Sequence, residues 1–126
     1  MTERDVSQPI QSFERFSAVT LGTSDMARAF TFYQSLGFSL RYGGPDARFT
    51  SFALNEGYLN LTSERVSSGW WGRVIIYVDD VDALYARIVE LGYKPQAVPR
   101  DAEWGERYFH IVDPDGHELS FAHPVT

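Results

Sequence analysis

Tyr108, His110, Glu118 and Ser120 alternate with Phe109, Ile111, Leu119 and Phe121 along two short apolar runs. Alternation of that kind puts the polar members on one face of a sheet and the apolar members on the other. An imidazole near a carboxylate can shuttle a proton or hold a cation. Arg73, which opens another alternating run, adds a permanent positive charge. A histidine beside such a charge is biased toward its neutral form and can act as a base, which makes His110 the one candidate catalytic residue. One histidine and one carboxylate fall short of the three ligands that a catalytic metal usually has. His117, at a turn, and His123, near the chain end, read as surface residues.

These residues need elements to position them, and the elements repeat. Residues 18–38 and 73–93 carry one pattern offset by 55 positions: Asp25 answers to Asp80, Ala29 to Leu84, Phe30 to Tyr85, Leu36-Gly37-Phe38 to Leu91-Gly92-Tyr93. In the first copy, residues 16–23 alternate as a strand. Ser24 or Asp25 caps a helix whose apolar stripe is Met26, Phe30, Tyr33 and Leu36, and Gly37 stops it. Strands follow near 38–43, 48–54 and 58–63. The second copy opens with a strand over 73–78; Asp79 or Asp80 caps a helix with Val81, Leu84, Ile88 and Leu91 inward, ended by Gly92. Strands are expected near 94–98, 107–112 and 117–122, the last two joined by the turn Asp113-Pro114-Asp115-Gly116. The order is β-α-β-β-β twice: an α+β fold of two tandem modules, about 15–63 and 72–123, in one domain over 15–126, with a polar N-terminal arm over 1–14. Two such modules can curve toward each other and leave a cleft.

Composition narrows the partners. The chain has 126 residues, a formal charge of −6 and no cysteine. The acidic balance argues against nucleic acid, which selects a basic face. Lack of cysteine removes disulfides, thiolate metal sites and thiol nucleophiles. No run approaches the roughly 20 apolar residues of a membrane span, and the N-terminus lacks a signal-type apolar core. The expectation is a cytoplasmic protein with neither nucleic-acid nor membrane partners.

Three motifs carry a family resemblance. Asp25 through Phe32-Tyr33 to Leu36-Gly37-Phe38 resembles a D-x6-FY-x2-LGF segment, Val78-Asp79-Asp80-Val81-Asp82-Ala83 a VDDVDA helix start, and Trp104-Gly105 with Asp113-Pro114-Asp115-Gly116 a WG…DPDG hairpin. In order and at this spacing they resemble the vicinal oxygen chelate superfamily, which includes glyoxalases, extradiol dioxygenases and bleomycin resistance proteins. The resemblance spans about 16–123. Enzymes of that superfamily usually hold a divalent metal, and the matching positions here are Ala18, Arg73 and Ser120. Alanine has no donor atom, guanidinium repels a cation and a serine hydroxyl is a poor ligand. The resemblance therefore implies no standard metal site and no cofactor, and points to relatives that resemble the metal-free bleomycin resistance proteins.

What that implies is a homodimer whose clefts bind and sequester a small organic ligand, with cationic or aromatic antibiotics as one expected class. The alternative is a metal-free or nonstandard-metal enzyme of lyase, isomerase or dioxygenase type. The ligand-binding candidates are Arg73, Tyr77, Tyr108, His110, Ser120, Asn60, Trp70, Trp71 and Trp104. Several of these have a structural alternative: Arg73 can pair with an acid, His110 can be a hydrogen-bonded strand histidine, Trp70-Trp71 can plug a dimer interface or join the core, and Trp104 can pack on the last hairpin. Asp113 and Asp115 are expected to serve the turn.

Overall fold

The computed structural model describes residues 15–64 and 69–125. The expected arm over 1–14 lies outside them. β1 (Ala18–Gly22), α1 (Met26–Leu36), β2 (Ser39–Tyr42), β3 (Phe49–Leu54) and β4 (Gly57–Thr62) form the first module. β5 (Arg73–Tyr77), α2 (Val81–Glu90), β6 (Arg100–Asp101), β7 (Glu106–Val112) and β8 (Glu118–Pro124) form the second. Each module is a four-stranded sheet, ordered β1-β4-β3-β2 and β5-β8-β7-β6. In each, the first strand lies parallel to the last and the remaining pairs are antiparallel.

The duplication reaches the backbone at both helix ends. The Asp25 side chain accepts from Arg28 N–H at 3.1 Å and the Asp80 side chain from Ala83 N–H at 3.0 Å, satisfying free first-turn donors. At the other end Gly37 and Gly92 take φ of 113° and 94°. Gly37 N–H donates to Gln34 O and Phe38 N–H to Tyr33 O; Gly92 N–H donates to Val89 O and Tyr93 N–H to Ile88 O. Both are Schellman closures, and in the first the accompanying apolar contact is Phe38 edge-on to Tyr33, 5.3 Å between centroids.

One face of each sheet meets the helices in a single core. Leu21, Phe52, Leu59 and Leu61 of the first module join Ile76, Phe109, Ile111, Leu119 and Phe121 of the second, with Phe30, Tyr33, Leu36 and Ile88 between them. No described helix is long and apolar enough to cross a membrane.

Two expectations need correction. The strand near 94–98 is absent; β6 is two residues long, at 100–101. Pro95 and Pro99 have no N–H to give a ladder, and one bond, Gln96 N–H to His110 O at 2.9 Å, ties the segment down. Leu91 is 43% exposed rather than inward. The chain turns out of the helix at Gly92, and Tyr93 takes the inner place, edge-on to Phe32 at 4.9 Å.

Candidate functional site

Strand register decides which side chains share the faces turned away from the helices, because paired residues on neighbouring strands point the same way. On the second sheet the rows read Arg73–Glu118–Val112, Ile75–Ser120–His110 and Tyr77–Ala122–Tyr108–Arg100. The expected grouping of Arg73, Tyr77, Tyr108, His110 and Ser120 on one face is therefore present. On the first sheet the corresponding rows are Ala18–Tyr58–Ala53, Thr20–Asn60–Ser51–Tyr42 and Gly22–Thr62–Phe49. Asn60 stands on this other face, at the position that Ser120 holds in its own sheet.

Arg73 donates from Nε to Glu118 Oε1 and makes an ion pair with the same carboxylate through Nη2. That pair stands where the resemblance would put a metal ligand. A divalent ion would meet a fixed guanidinium there, with Ala18 and Ser120 as the other matching residues. Among the described residues no three His, Cys, Asp or Glu converge. The residues present do not fit a divalent metal.

His110 is half-buried, and its Nδ1 has no hydrogen-bond partner among the described residues. Burial holds its pKa below the ordinary histidine value, and the Arg73 charge adds to that. Tyr108 packs beside it, 5.0 Å between ring centroids. Tyr108 also stacks under Trp104 at 5.7 Å and accepts from Arg100 Nε at 2.7 Å. Trp104 packs on the last hairpin through Tyr108 of β7, yet stays 70% exposed, so one side of its ring remains open.

Arg73, Tyr77 and Trp71 also line a trough of ≈ 770 Å³ together with Phe16, Ala18, Tyr58 and Ile75. It runs between β1 and β5, each of which pairs on one edge alone. Trp70 is exposed and does not line it. Trp71 is anchored: its indole N–H donates to His117 Nδ1 at 2.8 Å, and His117 Nε2 lies 2.7 Å from the Gly22 carbonyl. Since indole N–H can only donate and a carbonyl can only accept, His117 is neutral with its proton on Nε2. The surface expectation for His117 is thus wrong. It is buried because Trp71 and Gly22, distant in sequence, close over it.

The turn expectation for Asp113 and Asp115 holds and is incomplete. Asp113 Oδ1 accepts from the Asp115 and His117 N–H groups. Its Oδ2 accepts from the buried Tyr33 hydroxyl at 2.7 Å, and Asp115 Oδ1 accepts from Ser24 N–H and Oγ. Turn and first module are bound together.

Sequence reasoning missed Ser51, Arg41 and Glu106. Ser51 is buried, and its Oγ, with Asn60 Oδ1 beside it in the row, lacks a partner among the described residues. It occupies the register position that His110 has in the second sheet, so the repeat could have found it. Arg41 sits where the β2 register shifts, and its guanidinium lies 4.4 Å from the Tyr58 ring centroid.

Comparison with known proteins follows the same lines. The family described as Glyoxalase/Bleomycin resistance protein/Dioxygenase superfamily matches residues 15–121. An uncharacterised protein of Mycobacterium bovis is 28% identical over 122 residues, covering 83% of this chain and 80% of its own length. A lactoylglutathione lyase from Agrobacterium tumefaciens superposes with a TM-score of 0.73 at 19% identity, over 88% of this chain and 94% of that one. TioX from Micromonospora sp. ML1 does so at 0.70 and 24% identity, over 88% and 99%. Likeness at those identities speaks for fold alone.

Proposed function

The chain belongs to the glyoxalase/bleomycin resistance protein/dioxygenase superfamily, and on that premise we propose that it binds and sequesters a small organic ligand without a divalent metal. The observation that carries this reading is the Arg73–Glu118 ion pair on the face where metal-dependent relatives would coordinate. A guanidinium held by a carboxylate suits polar recognition and has no lone pair to offer a metal ion. Exposed Tyr77, Ile75, Trp104 and Tyr42 on the two open faces supply ring and apolar surface. Pairing of two chains would cover these faces, and an aromatic or cationic antibiotic is a fitting ligand class.

The test is a titration of metal-free protein with a bleomycin-type glycopeptide, followed by tryptophan fluorescence and by mass spectrometry of the recovered ligand. Saturable quenching with unaltered ligand is the expected result. A converted ligand, or no quenching at high micromolar concentration, would refute sequestration of that class.

A second reading has its own observation. The unpartnered Nδ1 of His110 and its lowered pKa suit a proton-transfer base in an enzyme that works without metal. Turnover of a small organic substrate that His110→Gln abolishes, with substrate binding kept, would favour it.

A further inference from the structure

One carboxylate organises the exposed rings of the second sheet. Trp104 donates its indole N–H to Glu106 Oε1 at 2.9 Å, and Tyr77 donates its hydroxyl to Glu106 Oε2. Tyr77 belongs to β5 and Glu106 to β7, so the tyrosine reaches diagonally across β8, past its own register partner, the small Ala122, toward the row of Pro124 and Glu106. Both rings stay open to solvent, Trp104 at 70% and Tyr77 at 58%. Tyr108 backs Trp104 and is itself tied by Arg100.

Exposed aromatic side chains ordinarily keep their rotamer freedom, and binding must then remove it. Here the polar tip of each ring is fixed while a broad face is left uncovered. Surface stability alone explains this poorly, since exposed hydrogen bonds add little and two bare rings in water are unfavourable. Charge narrows the guest. Indole and phenol faces are electron-rich and attract cations. Arg73 is neutralised by Glu118, whereas the hydrogen-bond donors to Glu106 are uncharged, so its negative charge persists at the polar tips of both rings. Those two bonds, Tyr77 first, hold the Glu106 carboxyl below its ordinary range.

We propose that Glu106 is a positioning residue that fixes Trp104 and Tyr77 as a ring clamp, and that the clamp selects a flat, positively charged heteroaromatic ring. This rests on the ligand-binding reading above and names the chemical class that the site prefers.

The test uses the full chain, metal-free, with N-methylacridinium as the cationic probe and acridine-9-carboxylate as the anionic one, by calorimetry. Wild type should bind the cation about tenfold or more tighter than the anion. Glu106→Ala should weaken the cation about tenfold, and Glu106→Gln should narrow the preference between probes to what the ring faces alone supply. A readout without ligand goes with it. The Trp104 indole N–H resonance, identified by its loss in Trp104→Phe, should move upfield in Glu106→Ala as its hydrogen bond disappears. An unmoved indole resonance, or equal affinity for the two probes, would overturn the clamp. Saturable glycopeptide binding with no binding of either probe would overturn the clamp and leave sequestration standing. A clamp that behaves as described on a protein that converts its ligand would do the reverse.

Discussion

Replacing Tyr33 by Phe tests the tie between the modules. The hydroxyl donates to Asp113 Oδ2 at 2.7 Å, Tyr33 is fully buried and Asp113 is 4% exposed. Phenylalanine keeps the ring and its packing, so the change isolates one hydrogen bond to a buried carboxylate. Such bonds contribute about 1.5–3 kcal/mol. Asp113 Oδ1 keeps its two backbone donors, which argues for the middle of that range, about 2 kcal/mol. With an unfolding entropy of about 2.1 cal/mol/K per residue, a chain this long should lose about 8 °C in Tm. The loss should depend on pH. Burial raises the Asp113 pKa, while the Tyr33 bond opposes that rise. A raised folded-state pKa means that stability is lost as pH increases through it, so removing Tyr33 hurts most where Asp113 is ionised. Differential scanning fluorimetry of wild type, Tyr33→Phe, Asp113→Asn and the double variant from pH 4 to neutrality, about the carboxylate range, measures both. A Tm within about 1 °C of wild type at neutral pH, or a double variant whose losses simply add, would refute the reasoning.

His117→Phe should leave Trp71 Nε1 and the Gly22 carbonyl unpaired, costing about 2–4 kcal/mol from two lost bonds; urea unfolding gives the cost, and a red-shifted Trp71 emission shows the indole released. Gly43 has φ of 85° and an added Cβ would lie 2.3 Å from Phe49 O, whereas Gly37 has open space around it. Gly43→Ala should therefore cost more than about 2 kcal/mol and Gly37→Ala about 1 kcal/mol, by the same unfolding assay. His110 resists the proton that the unfolded chain accepts, since burial lowers its pKa. Stability should fall as pH drops below about 6.5, and His110→Gln should flatten that slope in unfolding measured across pH.

The sequence disclosed what is local or periodic. Asp25, Asp80, Gly37 and Gly92 announced both helices because caps are set by neighbours within a turn. Alternation in 107–112 and 117–122 put Tyr108 and His110 on the same face as Ser120, since period two needs no knowledge of the partner strand. It failed where a partner is remote. His117 looked exposed because Gly22 lies 95 residues away and Trp71 lies 46 away. Glu106 drew no notice because its role comes from Tyr77, reaching over an intervening strand. Ser51 was legible in principle: aligning the two repeats by register, rather than by motif, sets it against His110.

The hydrogen bonds around residues 113–117 also bear on how the chain reaches its final form during synthesis. Tyr33, Ser24 and the Gly22 carbonyl leave the ribosome well before Asp113, Asp115 and His117, which satisfy them. The leading half can form its helix and hairpins as it leaves the ribosome. It must wait with a phenol and a carbonyl unanswered, and with Phe38 lacking the Phe121 ring 6.4 Å away. A ribosome stalled before residue 113 would hold a chain open to proteases at the β1–α1 junction, and emergence of β8 would close it.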